Sequence, residues 1–97
     1  MGQPNLALIL VLARDTAERC QKALADLAES LTQRNIPLDQ QPIHSELTNA
    51  IWTLNGRITT VGNMPGTDLD KIFSMNEAIA AADNAATSAQ QVIQQLP

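Results

Sequence analysis

Leu6-Ala7-Leu8-Ile9-Leu10-Val11-Leu12-Ala13 is the densest apolar run in the chain, and it carries no charge. Left in water it forfeits roughly 25 cal/mol for every Å² of apolar surface, so it demands cover on more than one side. Two readings compete for it. In the first, the run opens a long helix. Leu6, Leu10, Ala13, Ala17, Cys20, Leu24, Leu27 and Leu31 step by four and three without a slip, which is a heptad seam. In the second, Asp15-Thr16-Ala17-Glu18 is a capping box that starts a helix at Thr16, and residues 6–13 form a buried strand. The run is rich in Leu and Ala, and only Ile9 and Val11 are β-branched, which favours the helix.

Two breaks divide the rest of the chain. Asn35-Ile36-Pro37 through Pro42 is the first, and Gly62-Asn63-Met64-Pro65-Gly66 is the second. Both combine Pro with Asn or Gly, residues that end helices and make turns. Between them Leu47, Ile51, Leu54, Ile58 and Val61 again step by four and three, with Ser45 as the expected N-cap. Asn55-Gly56 is a hairpin signal in the middle of this segment. The flanking residues lack strand alternation, however, and the helical period fits them better. Gly56 and several Thr residues make this the weakest helix, held by packing rather than propensity. After the second break, Thr67-Asp68-Leu69-Asp70 is a capping pattern. A seam follows at Ile72, Met75, Ile79, Ala82, Ala86, Ala89, Ile93 and Leu96. The small residues of that seam let a partner helix approach closely.

The expected fold is an all-α, antiparallel three-helix bundle forming one domain over 1–97, with helices at about 5–34, 45–61 and 68–96. The alternative is a β-α-β-β-α domain, in which residues 6–13 are a strand and Asn55-Gly56 turns a hairpin. Composition supports the helical reading. Of 97 residues 44% are apolar but only 2% aromatic, so the core must be built from Leu, Ile, Val and Ala.

Composition also limits function. A net charge of −4, with dispersed Lys and Arg, argues against a nucleic-acid binder, which needs a basic face. An eight-residue apolar run is far short of the roughly 20 residues that span a bilayer, and the uncharged leader before it lacks the basic residues of a secretory signal. Cys20 is the single cysteine, so no intrachain disulfide can form, and a reducing, cytoplasmic setting is the simplest reading.

Candidate chemistry is sparse. His44 with Glu46 invites a metal or general-base reading, but a lone His beside a proline turn reads better as structural or solvated, and Cys20 with His44 is too few ligands for zinc. Cys20 on the first seam reads as a small buried hydrophobe. Asp68 and Asp70 are explained by capping, and Glu77 and Asp83 by solvation. The loop at 62–66 lacks the Lys-Ser or Lys-Thr of a phosphate-binding loop. No catalytic residue, metal site or cofactor is assigned.

Leu8, Ile9, Val11 and Leu12 lie off the first seam and are expected to face outward from an isolated bundle. A contiguous exposed apolar patch marks an interface. Trp52, the sole Trp, is either a half-buried packing residue or an anchor in a partner interface. The expected function is a non-enzymatic interaction protein (adaptor, regulator or scaffold) acting as a homo-oligomer, most simply a dimer, with Leu8, Ile9, Val11, Leu12 and Trp52 as its interface. The alternative is a small-ligand binder or enzyme whose site is assembled between subunits from dispersed residues such as His44, Glu46, Asn49 and Arg57.

Overall fold

The computed structural model describes residues 5–96. Its elements are α1 (Leu6–Gln33), α2 (Pro42–Thr60) and α3 (Asp68–Gln95), with short 3₁₀ turns at Leu38–Gln40 and Val61–Asn63. Helical conformation covers 88% of the described residues, none of which lies in a strand. The all-α, three-helix reading therefore holds, and the β-α-β-β-α alternative does not. No described helix is long and apolar enough to cross a membrane.

The opening run is helical from its first residues. Asn5 caps α1 by accepting a hydrogen bond from the Leu8 backbone N–H at 2.9 Å. Thr16, the start of a helix in the competing reading, is mid-helix and fully buried. Its hydroxyl donates to the Leu12 carbonyl at 2.8 Å and accepts from Arg19 Nη2 at 3.2 Å, so burial leaves no polar atom unsatisfied. α1 ends where the first break begins. Asn35 takes a left-handed conformation with φ 58°. The Ile36 N–H bonds back to Leu31 O at 2.9 Å, and the Asn35 N–H to Thr32 O at 3.1 Å. This is the paired closure that terminates many helices, with half-buried Ile36 packed against the core.

α2 starts three residues earlier than expected. Pro42 occupies the first helical position, where its missing N–H costs nothing and its fixed φ suits the helix. The early start buries Ile43 beside Leu47 and Leu54, and leaves Ser45 exposed inside the helix rather than capping it. The helix runs straight through Asn55-Gly56, because a hairpin there would expose Leu54, which is fully buried. Val61 lies just past the helix, in the 3₁₀ turn, and is buried.

α3 begins with a complete capping box. The Asp70 N–H donates to Thr67 Oγ1 at 3.2 Å, and the Thr67 N–H donates to Asp70 Oδ2 at 3.1 Å. Gly66 precedes it with φ 108°. A side chain there would be strained by the backbone, and its Cβ would stand 2.8 Å from the same Asp70 carboxylate oxygen.

α3 is the central helix and packs along both neighbours, which touch each other more briefly. Its seam is buried as expected at Ile72, Met75, Ile79, Ala82, Ala86 and Ala89, with Ala78 and Ala85 added, but Ile93 and Leu96 at its far end are only partly covered. The α1 seam needs correcting. Ala13, Ala17, Cys20, Leu27 and Leu31 are buried, but Leu6, Leu10 and Leu24 are only partly covered. Ile9, Thr16 and Ala23 are buried in addition. The physical reason is that α1 meets two neighbours, so its buried arc is wider than a single seam. Ile9, expected on the outside, is 9% exposed and belongs to the protein's own core.

Candidate interaction surface

α1 and α3 run parallel, and two contacts fix how they face each other. Arg19 Nη1 meets Asp83 Oδ1 at 2.8 Å on the surface. Beneath it the Cys20 thiol donates to the Ala82 carbonyl at 3.1 Å. Small residues at Ala23, Ala82 and Ala86 let the two helices close together. Both charged partners of the outer contact are about half exposed, so it contributes little to stability but marks which flanks face each other.

Toward the N-terminal end of these two helices the character of that face changes. Leu12 and Leu8 follow the Arg19 stripe back along α1, at the spacings that return to one side of a helix. Leu69 and Phe73 are exposed at the same end of α3, one turn apart, Leu69 about 40° round the helix from Asp83 and Phe73 about 80°. Leu8 is 62% exposed and Phe73 64%, and Leu12, Leu69 and neighbouring Val11 are also exposed. Large apolar side chains from two helices thus share one end of the α1/α3 face. Together they present on the order of 500 Å² of surface, the upper range for a soluble single chain.

Of the residues expected at an interface, Leu8 and Leu12 lie on this flank, and Val11 is exposed beside them in line with Glu18, which lines the α1/α2 groove. Ile9 is in the core. Trp52 is elsewhere: Leu47 and Leu54 face inward from α2, and Trp52, two residues before Leu54, is turned about 160° away. It is 79% exposed, so it is not a packing residue. Leu69 and Phe73 are hard to single out in the sequence because they sit in the first turns of α3 among the capping residues Asp68 and Asp70. The available signal was an i, i+4 apolar pair lying off the seam of Ile72 and Met75.

The dispersed polar set does not converge. Glu46 and Asn49 share an open groove of about 390 Å³ between α2 and α3, facing Asn84 across a floor that includes Ala50, Ala81 and Ala85. His44, two residues before Glu46, is turned to the other side of α2. Arg57 lies two turns further along and is committed to the fold. It donates to the Ser74 carbonyl at 2.6 Å and stands 3.8 Å from Glu77. Among the described residues no three His, Cys, Asp or Glu side chains are grouped to hold a metal ion.

Cys20 is fully buried. Burial pushes its thiol above the ordinary value of 9.0, with nearby Arg19 pulling it down and Asp83 pushing it up. A thiol held protonated in the core is a poor nucleophile. Comparison with family models, with curated proteins and with solved structures gives no significant match, so the surface itself carries the functional argument.

Proposed function

We propose that this protein is a non-enzymatic helical interaction protein, an adaptor, regulator or scaffold, that works by self-association. The carrying observation is the cluster of Leu8, Val11, Leu12, Leu69 and Phe73 at one end of the α1/α3 face. Five large apolar side chains are exposed at the same end of two neighbouring helices, whereas single exposed apolar residues are unremarkable. A second copy is the natural occupant, because a two-fold contact pairs the patch with itself. The patch is somewhat smaller than the roughly 800 Å² that each partner contributes to a standard interface, so it forms the centre and the polar residues around it form the rim. The lone, buried thiol suits a reducing compartment such as the cytoplasm.

Molecular mass in solution tests this reading. The native chain should sediment as a dimer or larger species at micromolar concentration. Leu8→Glu/Leu12→Glu should weaken association while leaving the helical circular dichroism intact, since both side chains are exposed. A folded native monomer at that concentration sinks the proposal.

The α2/α3 groove supports a second reading, a small-ligand binder. Glu46, Asn49 and Asn84 supply a carboxylate and two amides around an alanine floor, in a volume within the usual range for ligand sites. A thermal-shift screen distinguishes the two readings. A metabolite that raises the melting temperature, and fails to do so with Asn49→Ala, favours the groove.

A further inference from the structure

We propose that Asn55-Gly56 is a site of spontaneous covalent modification, at which the Asn55 amide is converted to aspartate and isoaspartate when α2 opens, and that the isoaspartate then breaks this helix. Of all the asparagines in the chain, only Asn55 is followed by glycine. The pair is a hairpin signal that the fold leaves unused, because α2 runs straight through it.

The chemistry needs nothing but water. The backbone nitrogen of Gly56 attacks the side-chain carbonyl carbon of Asn55, Cγ, and a C–N bond forms. The bond from Cγ to the amide nitrogen breaks, and that nitrogen leaves as ammonia with the proton that the Gly56 N–H gave up. A five-membered succinimide ring remains. Water then opens the ring at one of its two carbonyls. Opening at Cγ gives aspartate on a normal backbone. Opening at the main-chain carbonyl gives isoaspartate, whose main chain runs through the former side chain. One water is consumed, one ammonia is released, and nothing is oxidised or reduced. Either product is ionised at neutral pH and adds one negative charge to a chain of net charge −4.

The structure both exposes this site and restrains it. Asn55 and Gly56 are exposed, and nothing lies within 4 Å of where a Cβ on residue 56 would be. Neither a side chain nor a neighbour therefore crowds the attacking nitrogen. In the intact helix, however, the Gly56 N–H donates to the carbonyl four residues back, that of Trp52. Attack requires this turn to open. α2 is the helix least equipped to resist opening. No side chain caps its start, and glycine weakens its interior. The Thr59 and Thr60 hydroxyls donate to the Asn55 and Gly56 carbonyls at 2.9 Å, in competition with the helix's own bonds.

The consequence follows from where the site lies. Isoaspartate puts an extra methylene into the main chain, which throws the hydrogen bonds across position 55 out of register. On one side stands Leu54, fully buried, and on the other Arg57, which holds α2 to the Ser74 carbonyl. The break therefore falls between the two contacts that anchor this half of α2. The change is one-way, so it acts as a timer on α2, and it does not depend on the self-association proposed above.

The full chain supplies its own controls. Asn49 and Asn84 are also exposed on helices but are followed by alanine. After prolonged incubation at neutral pH, peptide mapping by mass spectrometry should show NH exchanged for O at Asn55 and not at Asn49 or Asn84, and enzymatic methylation should identify isoaspartate. The isoaspartate fraction should lose helical circular dichroism and hydrogen-exchange protection in α2. Gly56→Ala should slow conversion at least about tenfold, because it both crowds the nitrogen and strengthens the helix. Leu54→Ala should speed it at least about tenfold, because the opened population grows as core contacts are removed. Urea below the unfolding midpoint makes the same test on the native chain. If Asn55 converts no faster than Asn49 and Asn84, or as fast in Gly56→Ala as in the native chain, the site is overturned. A rate indifferent to urea overturns the control by α2 opening, and an isoaspartate fraction with native helix content overturns the timer.

Discussion

α2 and α3 lie side by side on one core, and they become helices for opposite reasons. α3 is specified locally. It has a complete capping box, acidic residues in its first turn where the helix dipole favours them, and a run of alanines with high helix propensity. α2 has little of this. No side chain caps its start, Gly56 interrupts it, and Thr59 and Thr60 turn their hydroxyls back on the backbone. What α2 has instead is four buried apolar residues in and just beyond the helix, Ile43, Leu47, Leu54 and Val61, and the Arg57 anchor to α3. The comparison teaches that a stable helix needs local preference or tertiary cover, and that either can stand in for the other.

The contrast is sharpest at the residues that supply cover. Leu54→Ala should cost about 2–5 kcal/mol, the range for emptying a fully buried leucine site. Hydrogen exchange should show α2 losing protection before α3. A loss below about 1 kcal/mol in a urea titration would mean that α2 does not depend on its core contacts.

Removing the anchor is a smaller change. Arg57→Ala gives up a charge-assisted hydrogen bond to the Ser74 carbonyl and should cost about 1–2 kcal/mol. Arg57→Lys should recover only part of that loss, because lysine lacks the planar fork that reaches a carbonyl and a carboxylate together. Full recovery with lysine would reduce the anchor to a simple charge.

Thr67→Ala tests the opposite side of the comparison. Losing the cap of α3 should cost about 1 kcal/mol, read from the urea midpoint. No change there would show that α3, like α2, is held by packing alone.

The smallest effect has the opposite sign. Gly56→Ala sits in a helix with open space around the new Cβ, and should stabilise the monomer by up to about 1 kcal/mol. A loss of stability would mean that the backbone at this position needs the glycine.

Much of this fold is legible in the sequence because small, evenly spaced apolar residues leave few alternatives. The α3 seam and its capping box can be read almost residue by residue, since the signals are local. α1 is harder. Its heptad phase gives the helix correctly, but a one-dimensional pattern describes one neighbour and α1 has two, which is why Ile9, Thr16 and Ala23 are buried as well. The candidate interface is legible only in part. Leu8, Val11 and Leu12 stand out as surplus apolar residues, whereas Leu69 and Phe73 join them only once α1 and α3 are placed in parallel.

Sequence alone determined that this chain is helical, where its helices break, and that its apolar content exceeds what a single seam per helix can use. Those properties follow from backbone propensity, capping and hydrophobic period, which act within a few residues of one another. Tertiary structure decided which apolar residues are surplus. Ile9 went into the core because two helices cover α1, Trp52 turned outward because Leu47 and Leu54 claimed the inner side of α2, and the exposed residues of α1 and α3 met at one end. Solvent exposure depends on what lies across the gap, and nothing within a helix encodes its neighbour's position.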